Sequence, residues 1–248
     1  MRALLTIHGF LTDKTDFDGA IDVISPTYDH IEHYTIPGHT TPRDYTKFSF
    51  TQTLAGLLDT YDGLSKYYDQ IDCLGFSLGG ALATYLANTR KLNKLILLSP
   101  ANKYLNFGTT FRWLAFYAGK TFQMLGENKG KLTNINIFDD SSIAPYIEDN
   151  KKAINIAIKE LIPNYNVRNL FTFNRLVKHC NSFLQENDCP TLILYGKLDE
   201  MVPYGSITML ENYFRQAKVH IFDDVGHMML RSSRANAIAE VIKEFINN

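Results

Sequence analysis

The sequence has little of several features that mark particular classes of protein. It holds only three cysteines, Cys73, Cys180 and Cys189, and their spacing fits no metal-binding pattern. We therefore expect a reduced, cytoplasmic chain. The net charge is −1 at pH 7, so nothing in the overall charge favours binding to nucleic acid or to an anionic membrane. No apolar run reaches about 18 residues, so we expect no membrane-spanning helix.

What is present is typical of a globular protein of 248 residues, with 45% hydrophobic and 21% charged side chains. Short apolar runs alternate with segments of helical periodicity, which predicts a mostly parallel sheet with helices on both faces. Strands are predicted at 2–7, 28–36, 71–75, 92–99, 191–195 and 218–222, and helices at 17–24, 54–61, 78–86, 207–214 and 234–246. This alternation predicts the α/β fold class.

The alternation is interrupted between residues 101 and 188. This segment shows helical patterns at 109–125, 151–161 and 167–185 and is rich in aromatic residues, but it has no convincing buried strand. We interpret 1–100 and 189–248 as one α/β core and 101–188 as a helical insertion in the same domain.

The rest of the chain is organised around Gly75-Phe76-Ser77-Leu78-Gly79. An apolar run ends there and a run rich in Ala and Leu begins at once, which predicts a sharp turn from strand to helix. Such a turn projects the hydroxyl of Ser77 from the edge of a sheet. The alternative is a glycine-containing loop with a passive serine, and the strand before and the helix after favour the sharp turn.

A serine hydroxyl becomes a good nucleophile when a base takes its proton and an acid orients that base. His227 follows the last predicted strand, at the edge where parallel sheets gather catalytic groups. Asp199 follows the strand between Ser77 and His227, where nucleophile-elbow hydrolases place their acid. The competing acids are Glu200, Asp223 and Asp224, of which the last two are better explained as turn or capping residues.

An oxyanion that develops during attack needs donors already in place. One is expected from the backbone amide of Leu78, directly after the serine, and the second from the loop after the first strand. In that loop we expect the Phe10 amide to be the donor, with Leu11 as the second choice. His8 is interpreted as a residue that fixes the loop, and His39 is given no catalytic role.

These motifs together resemble the α/β-hydrolase superfamily, and most of all its bacterial carboxylesterases and monoacylglycerol-lipase-like enzymes. The matching pieces occur in the family's order: His8-Gly9-Phe10, Pro37-Gly38-His39, Gly75 to Gly80, Gly196-Lys197-Leu198-Asp199-Glu200-Met201-Val202-Pro203 and Gly226-His227. The resemblance covers nearly all of the chain except 101–188, which corresponds to the family's variable cap or lid. It implies a compact sheet of about six strands. The sequence departs from the family at Met228 to Arg231, where acidic residues are common.

The resemblance implies a serine hydrolase that cleaves carboxylic esters through Ser77, His227 and Asp199, without a metal or a cofactor. The aromatic cap suggests a small, lipophilic ester substrate, although these rings could simply pack the cap on the core. The same triad also serves thioesterases, lactonases, perhydrolases and carbon–carbon bond hydrolases. A ligand-sensing member of the fold is a further alternative, which tight binding without turnover would favour.

Overall fold

Helices cover both faces of one parallel sheet. The computed structural model describes residues 1–40, 42–103 and 167–248. The strands of these residues, in chain order, are β1 Arg2–Ile7, β2 His30–Tyr34, β3 Gln70–Phe76, β4 Lys94–Leu98, β5 Thr191–Gly196 and β6 Ala217–Phe222. Their α-helices are α1 Asp18–Ile24, α2 Phe50–Leu64, α3 Leu78–Thr89, α4 Val167–Ser182, α5 Gly205–Glu211 and α6 Ala235–Asn247. The predicted fold class, with a sheet of about six strands, is confirmed.

The strand order creates a crevice at the carboxyl ends of the strands. The order is β2-β1-β3-β4-β5-β6, and every neighbouring pair is parallel. The chain first moves from β1 to β2 on one side and then crosses back to β3 on the other side. Ligands of open α/β sheets bind where the strand order reverses, beyond the carboxyl ends of the strands. Here that point lies between the loops that follow β1 and β3.

Apolar side chains on both faces explain why the strands are nearly continuous hydrophobic runs. Leu5 and Ile7 of β1 join one buried cluster with α2, α3, α4 and α5, whereas Leu4 joins a second cluster with α1 and α6. Alternate residues of a strand point to opposite faces, so one short run supplies both clusters.

The helices form where apolar residues recur every three or four positions. Helix α2 begins after Ser49, whose hydroxyl accepts a hydrogen bond from the Gln52 amide, as expected of an N-cap residue. Its buried residues include Leu54, Leu57 and Tyr61, on one face of the helix. The structure extends the helix predicted at 54–61 by about one turn at its N-terminus and by part of a turn at its C-terminus.

Two of the three helices predicted in the insertion, at 109–125 and 151–161, lie outside the described residues. The third, predicted at 167–185, is α4, and its buried Leu176 and Cys180 share a core cluster with α3. The division at residues 100 and 189, and the interpretation of 101–188 as a cap, stay predictions. Among the described helices, none combines the length and the apolar character required to cross a bilayer.

Candidate active site

Ser77 occupies the sharp turn between β3 and α3. Its backbone has φ 52° and ψ −116°, a conformation that non-glycine residues rarely adopt. A Cβ atom at Gly75 would collide with the backbone oxygen of Gly79, and a Cβ atom at Gly79 would collide with the backbone oxygen of Ile7. The two glycines therefore allow the strand and the helix to approach closely, and the strained turn presents Ser77 at the crevice.

A hydrogen-bonded line of three side chains lies at the carboxyl ends of the strands and consists of Ser77, His227 and Asp199. Ser77 Oγ lies 3.0 Å from His227 Nε2, and His227 Nδ1 lies 2.8 Å from Asp199 Oδ2. A carboxylate oxygen can only accept, so Nδ1 carries the proton and Nε2 is free to accept from the serine hydroxyl. Thus the structure brings together three residues that lie on three separate loops, after β3, β5 and β6.

Asp199 is held by backbone donors. Its side chain is fully buried, and its Oδ1 accepts hydrogen bonds from the amides of Met201 and Val202, both at 2.8 Å. These bonds occupy one carboxylate oxygen and direct the other at His227. Burial is the largest influence on the pKa of His227 and acts to lower it. Asp199, together with Glu200 and Asp16, outweighs burial and raises the pKa above the usual value for histidine.

Two backbone amides flank the crevice without a partner among the described residues. The N–H groups of Phe10 and Leu78 donate no hydrogen bond to any other described residue. The amide of Leu11, by contrast, donates to His39 Nε2 at 3.0 Å. A Cβ atom at Gly79 would lie 2.5 Å from the oxygen of His8, so the loop after β1 lies directly against the start of α3. The pairing of Leu11 with His39 favours Phe10 over Leu11 as a donor.

This arrangement of elbow, histidine and acid on a parallel sheet agrees with a family comparison. The family model described as "alpha/beta hydrolase fold" matches residues 42–231, which is well over half of the chain. The chain belongs to this family. The match extends from the segment before α2 to the turn after His227, and so contains all three residues of the hydrogen-bonded line.

Relatives and solved structures agree with this assignment. A 2-hydroxy-6-oxononadienedioate/2-hydroxy-6-oxononatrienedioate hydrolase of Cupriavidus pinatubonensis is 25% identical over 201 residues, 79% of this chain and 67% of the relative. A similarly named hydrolase of Pseudomonas putida is 27% identical over 180 residues, 70% of this chain and 60% of the relative. The chain thus spans about two thirds of the length of these relatives. A structure of the metagenome-derived lipolytic enzymes LipS and LipT matches with a TM-score of 0.67 at 15% identity, covering 99% of this chain and 93% of that chain.

Two further buried histidines of this hydrolase form hydrogen bonds with backbone groups, and none with a side chain of the described residues. His8 Nδ1 donates to the oxygen of Gly9 at 2.8 Å, and its Nε2 accepts from the amide of Ile36 at 3.0 Å. His39 Nδ1 donates to the oxygen of Pro37 at 3.1 Å, and its Nε2 accepts from Leu11. The two rings thus join the loop after β1 to the loop after β2. Burial lowers the pKa of His8 to about 4 and that of His39 to about 3, so both rings are neutral.

A buried carboxylate lies beneath the loop after β1. Asp16 is 4% exposed and accepts hydrogen bonds from the Gly9 amide at 3.1 Å, from the Thr12 hydroxyl, and from Arg231 Nη2 at 3.0 Å. Burial raises the pKa of Asp16 to about 6, although these donors and the charge of Arg231 oppose the rise. Sequence reasoning missed both residues. The polar stretch around Asp16 gives only a loop signal, and the departure from the family pattern at Arg231 was the one hint.

The competing acids occupy other positions. Asp223 forms an ion pair with Lys197, and Asp224 forms one with Arg234, all with exposed side chains. The charge of Glu200 contributes to the raised pKa of His227. Cys73 is fully buried in β3, which agrees with its interpretation as a small core residue. Among the described residues, no cluster of His, Cys, Asp and Glu could hold a metal ion.

Aromatic rings gather on the outer side of the loop after β1. The ring of Phe10 lies 5.4 Å from that of Phe48 and 5.2 Å from that of Phe173, which belongs to α4. Phe48 and Phe173 are buried, whereas Phe10 is half-buried. Two aromatic rings therefore pack against the side chain of Phe10, the residue whose backbone amide is the expected second oxyanion donor.

Proposed function

We propose that this hydrolase cleaves carboxylic esters through an acyl-enzyme formed on Ser77. The observation that carries the proposal is the hydrogen-bonded line from Ser77 through His227 to Asp199, with distances of 3.0 and 2.8 Å. A nucleophile, a base with the correct nitrogen free and an acid that holds the base are the parts that acyl transfer requires.

In the first half of the reaction, Ser77 Oγ attacks the ester carbonyl while His227 Nε2 takes the hydroxyl proton. The imidazolium that forms lies against the buried carboxylate of Asp199, which stabilises it. The carbonyl oxygen becomes an oxyanion, which accepts hydrogen bonds from the amides of Phe10 and Leu78. Removal of one such donor typically costs about 10²–10³ in rate.

The first half ends when His227 gives its proton to the leaving alcohol and the acyl-enzyme remains. In the second half, water attacks the acyl group on Ser77 while His227 takes a proton from this water, so one histidine serves both halves. His227 then returns that proton to Ser77 Oγ as the carboxylic acid leaves. Each proton passes through Nε2, the nitrogen that the Asp199 contact leaves free.

The surroundings of the site support a neutral, apolar acyl group. The Phe10, Phe48 and Phe173 cluster offers aromatic surface beside the loop after β1. Among the described residues, the two arginines that pair with acids of this segment are already engaged: Arg43 pairs with Asp13, and Arg231 pairs with Asp16. An apolar pocket with a few polar anchors is the usual form of a small-molecule site.

A second candidate is hydrolysis of a carbon–carbon bond beside a ketone. The two hydrolases that are 25% and 27% identical to this chain carry names of 6-oxo dicarboxylate substrates, and this observation favours the candidate. The same nucleophile and base would serve. The substrate would carry two carboxylates, so its binding would require free cationic side chains.

The deciding experiment combines covalent labelling with substrate comparison. Purified protein is treated with a fluorophosphonate, the labelled peptide is mapped, and turnover is measured on aryl esters of increasing acyl length and on a 2-hydroxy-6-oxo dienedioate. We expect labelling at Ser77, with faster turnover of apolar acyl esters than of the dicarboxylate. Faster turnover of the dicarboxylate would replace the ester proposal with the second candidate. Labelling without any turnover would favour a ligand-sensing protein.

Ser77→Ala is expected to lower ester turnover by about 10⁴-fold or more, because no nucleophile remains. Ser99→Ala is the matched control. Ser99 is also a buried serine with positive φ at the end of a strand, but it has no histidine partner among the described residues. The control should keep its activity and be unreactive as a labelling site. Undiminished hydrolysis in a correctly folded Ser77→Ala variant would contradict the mechanism.

A further inference from the structure

One carboxylate connects the loop after β1 to the segment after His227. Asp16 lies in the 3₁₀ turn Lys14–Phe17, and its side chain is 1% exposed. Its Oδ2 accepts from the amide of Gly9 and from the hydroxyl of Thr12, and its Oδ1 accepts from Arg231. Arg231 Nη2 also donates to the hydroxyl of Thr15 at 3.0 Å. The bridge therefore links backbone next to Phe10 with a residue four positions after His227.

Backbone packing runs alongside this bridge. Arg231 ends the 3₁₀ turn Met229–Arg231, and a Cβ atom at Gly19 of α1 would collide with the backbone oxygen of Leu230 in that turn. The same Cβ atom would lie 3.0 Å from the Cβ of Ala235. Helix α1, which directly follows the turn of Asp16, thus packs against the segment that follows His227.

A third contact involves Phe76, which directly precedes Ser77 at the end of β3. The ring centroids of Phe76 and His227 are 5.0 Å apart, and a Cβ atom at Gly9 would lie 3.0 Å from the ring of Phe76. The ring of Phe76 therefore separates the imidazole from the loop after β1. The Asp16–Arg231 ion pair is a second connection between the same two segments, because Asp16 binds the Gly9 amide and Arg231 follows His227 in the chain.

We propose that Asp16 and Arg231 are positioning residues for acyl transfer. Their ion pair fixes the distance between His227 and the Phe10 amide, so that proton transfer and oxyanion binding occur in one geometry. This inference rests on the proposed function of Ser77. The Phe10 amide is used only when the oxyanion develops, so loss of the ion pair lowers kcat and leaves KM nearly unchanged.

The test uses Arg231→Met, Asp16→Asn and the double variant, with Arg234→Met as the matched control. Arg234 lies on the same segment and pairs with Asp224, but both side chains are more than half exposed and the pair does not reach the loop after β1. We measure kcat, KM and the rate of fluorophosphonate labelling at Ser77. Thermal unfolding confirms that each variant is folded, and Arg231→Lys tests whether a shorter cation restores the bridge.

Each single variant is expected to lower kcat and the labelling rate by about 10- to 100-fold, since small misplacements of catalytic groups cost this much. KM should change less than about threefold. The double variant should be no slower than the slower single variant, because the two residues act as one unit. Arg234→Met should keep the wild-type rates, and Arg231→Lys should fall between Arg231→Met and wild type.

Unchanged kcat in folded Arg231→Met would overturn the inference, as would an equal fall in Arg234→Met or additive losses in the double variant. A rise confined to KM would overturn it too. The proposed function fails separately, when the wild-type protein neither labels at Ser77 nor hydrolyses esters. Wild-type protein that labels without turnover still tests the inference through the labelling rate.

Discussion

Three buried histidines lie at the carboxyl edge of the sheet, and they are held in two different ways. His227 faces the carboxylate of Asp199 on one side and the hydroxyl of Ser77 on the other. His8 and His39 face backbone groups on both sides. Burial lowers the pKa of His8 to about 4 and that of His39 to about 3, whereas the pKa of His227 is raised.

Burial alone therefore does not make a histidine a base. A buried ring without an anionic partner is locked as a neutral donor and acceptor, and it can only hold backbone. A buried ring with a carboxylate can gain a proton at low cost and give it up again. The loops after β1 and β2 use the first kind to keep their shape, while the loop after β6 uses the second kind for chemistry.

Among changes to the three histidines and their partners, the largest effect is expected when His227 is given surroundings like those of His8. Asp199→Asn removes the negative charge but keeps the size of the side chain. The imidazolium of His227 then lacks a negative charge beside it, and neutral His227 is no longer held with its proton on Nδ1. We expect kcat for ester hydrolysis to fall by about 10³–10⁴-fold. Asp223→Asn is the control, because that acid is exposed and, within the described part of the chain, its side chain pairs with Lys197 and not with a histidine. A fall below tenfold in Asp199→Asn would show that His227 works without its acid.

The pH dependence of hydrolysis sharpens the same contrast. Neutral His227 is the base, so kcat/KM should rise with pH as His227 loses its proton. Because the pKa of His227 is raised, the midpoint should lie above about 6.5, the usual value for histidine. In Asp199→Asn, the charge that raises this pKa most is lost, and the midpoint should move to lower pH. A rate that is constant between pH 5 and 9 would contradict the role of His227.

Most of the fold could be predicted because buried parallel strands leave a local signal. Arg2–Ile7 is a short, largely apolar run in the sequence and is β1 in the structure, with the same bounds. The second strand, predicted at 28–36, is only His30–Tyr34, since it lies at the edge of the sheet and is largely half-buried. Edge strands carry a weaker hydrophobic pattern, so their ends are harder to predict.

The candidate site also contains residues that could be predicted from the sequence and residues that could not. Ser77, Asp199 and His227 follow strands, and the ends of parallel strands meet at one edge, so their convergence could be inferred from chain order. Asp16 and Arg231 are 215 residues apart in sequence and lie in short turns without periodicity. Their pairing depends on how α1 packs against the turn after His227, and only the tertiary structure supplies that information.

A smaller effect is expected on stability, through His8. Because the pKa of His8 is lowered to about 4, unfolded protein binds a proton below about pH 6.5 that folded protein does not. Stability from His8 is therefore complete above pH 6.5 and is lost as pH falls, by about 2 kcal/mol between pH 7 and pH 5. His8→Gln should be less stable than wild type at pH 7 by about 1–2 kcal/mol. The difference should shrink or reverse at pH 5.

Urea unfolding at pH 7 and pH 5 measures this change. Asp16 acts in the opposite direction, because its pKa is raised to about 6, but it is present in both proteins and cancels in the comparison. His220→Gln is the control, since His220 is exposed on β6. An equal difference in the free energy of unfolding between wild type and His8→Gln at both pH values would contradict this account, in which His8 stabilises the fold in its neutral form.

The smallest effect is expected at His30, a histidine of a third kind. Its Nε2 lies 3.2 Å from Glu32 Oε2, its ring stacks on Tyr68 with centroids 5.5 Å apart, and both members of the ion pair are about 40% exposed. Solvent screens such a pair, so His30→Gln should change the free energy of unfolding by less than about 0.5 kcal/mol. Urea unfolding of His30→Gln, Glu32→Gln and the double variant isolates the pair. A coupling above about 1.5 kcal/mol would mean that a partly exposed histidine stabilises the fold as much as His8 does. Burial would then not be the property that distinguishes His8 and His39 from His30.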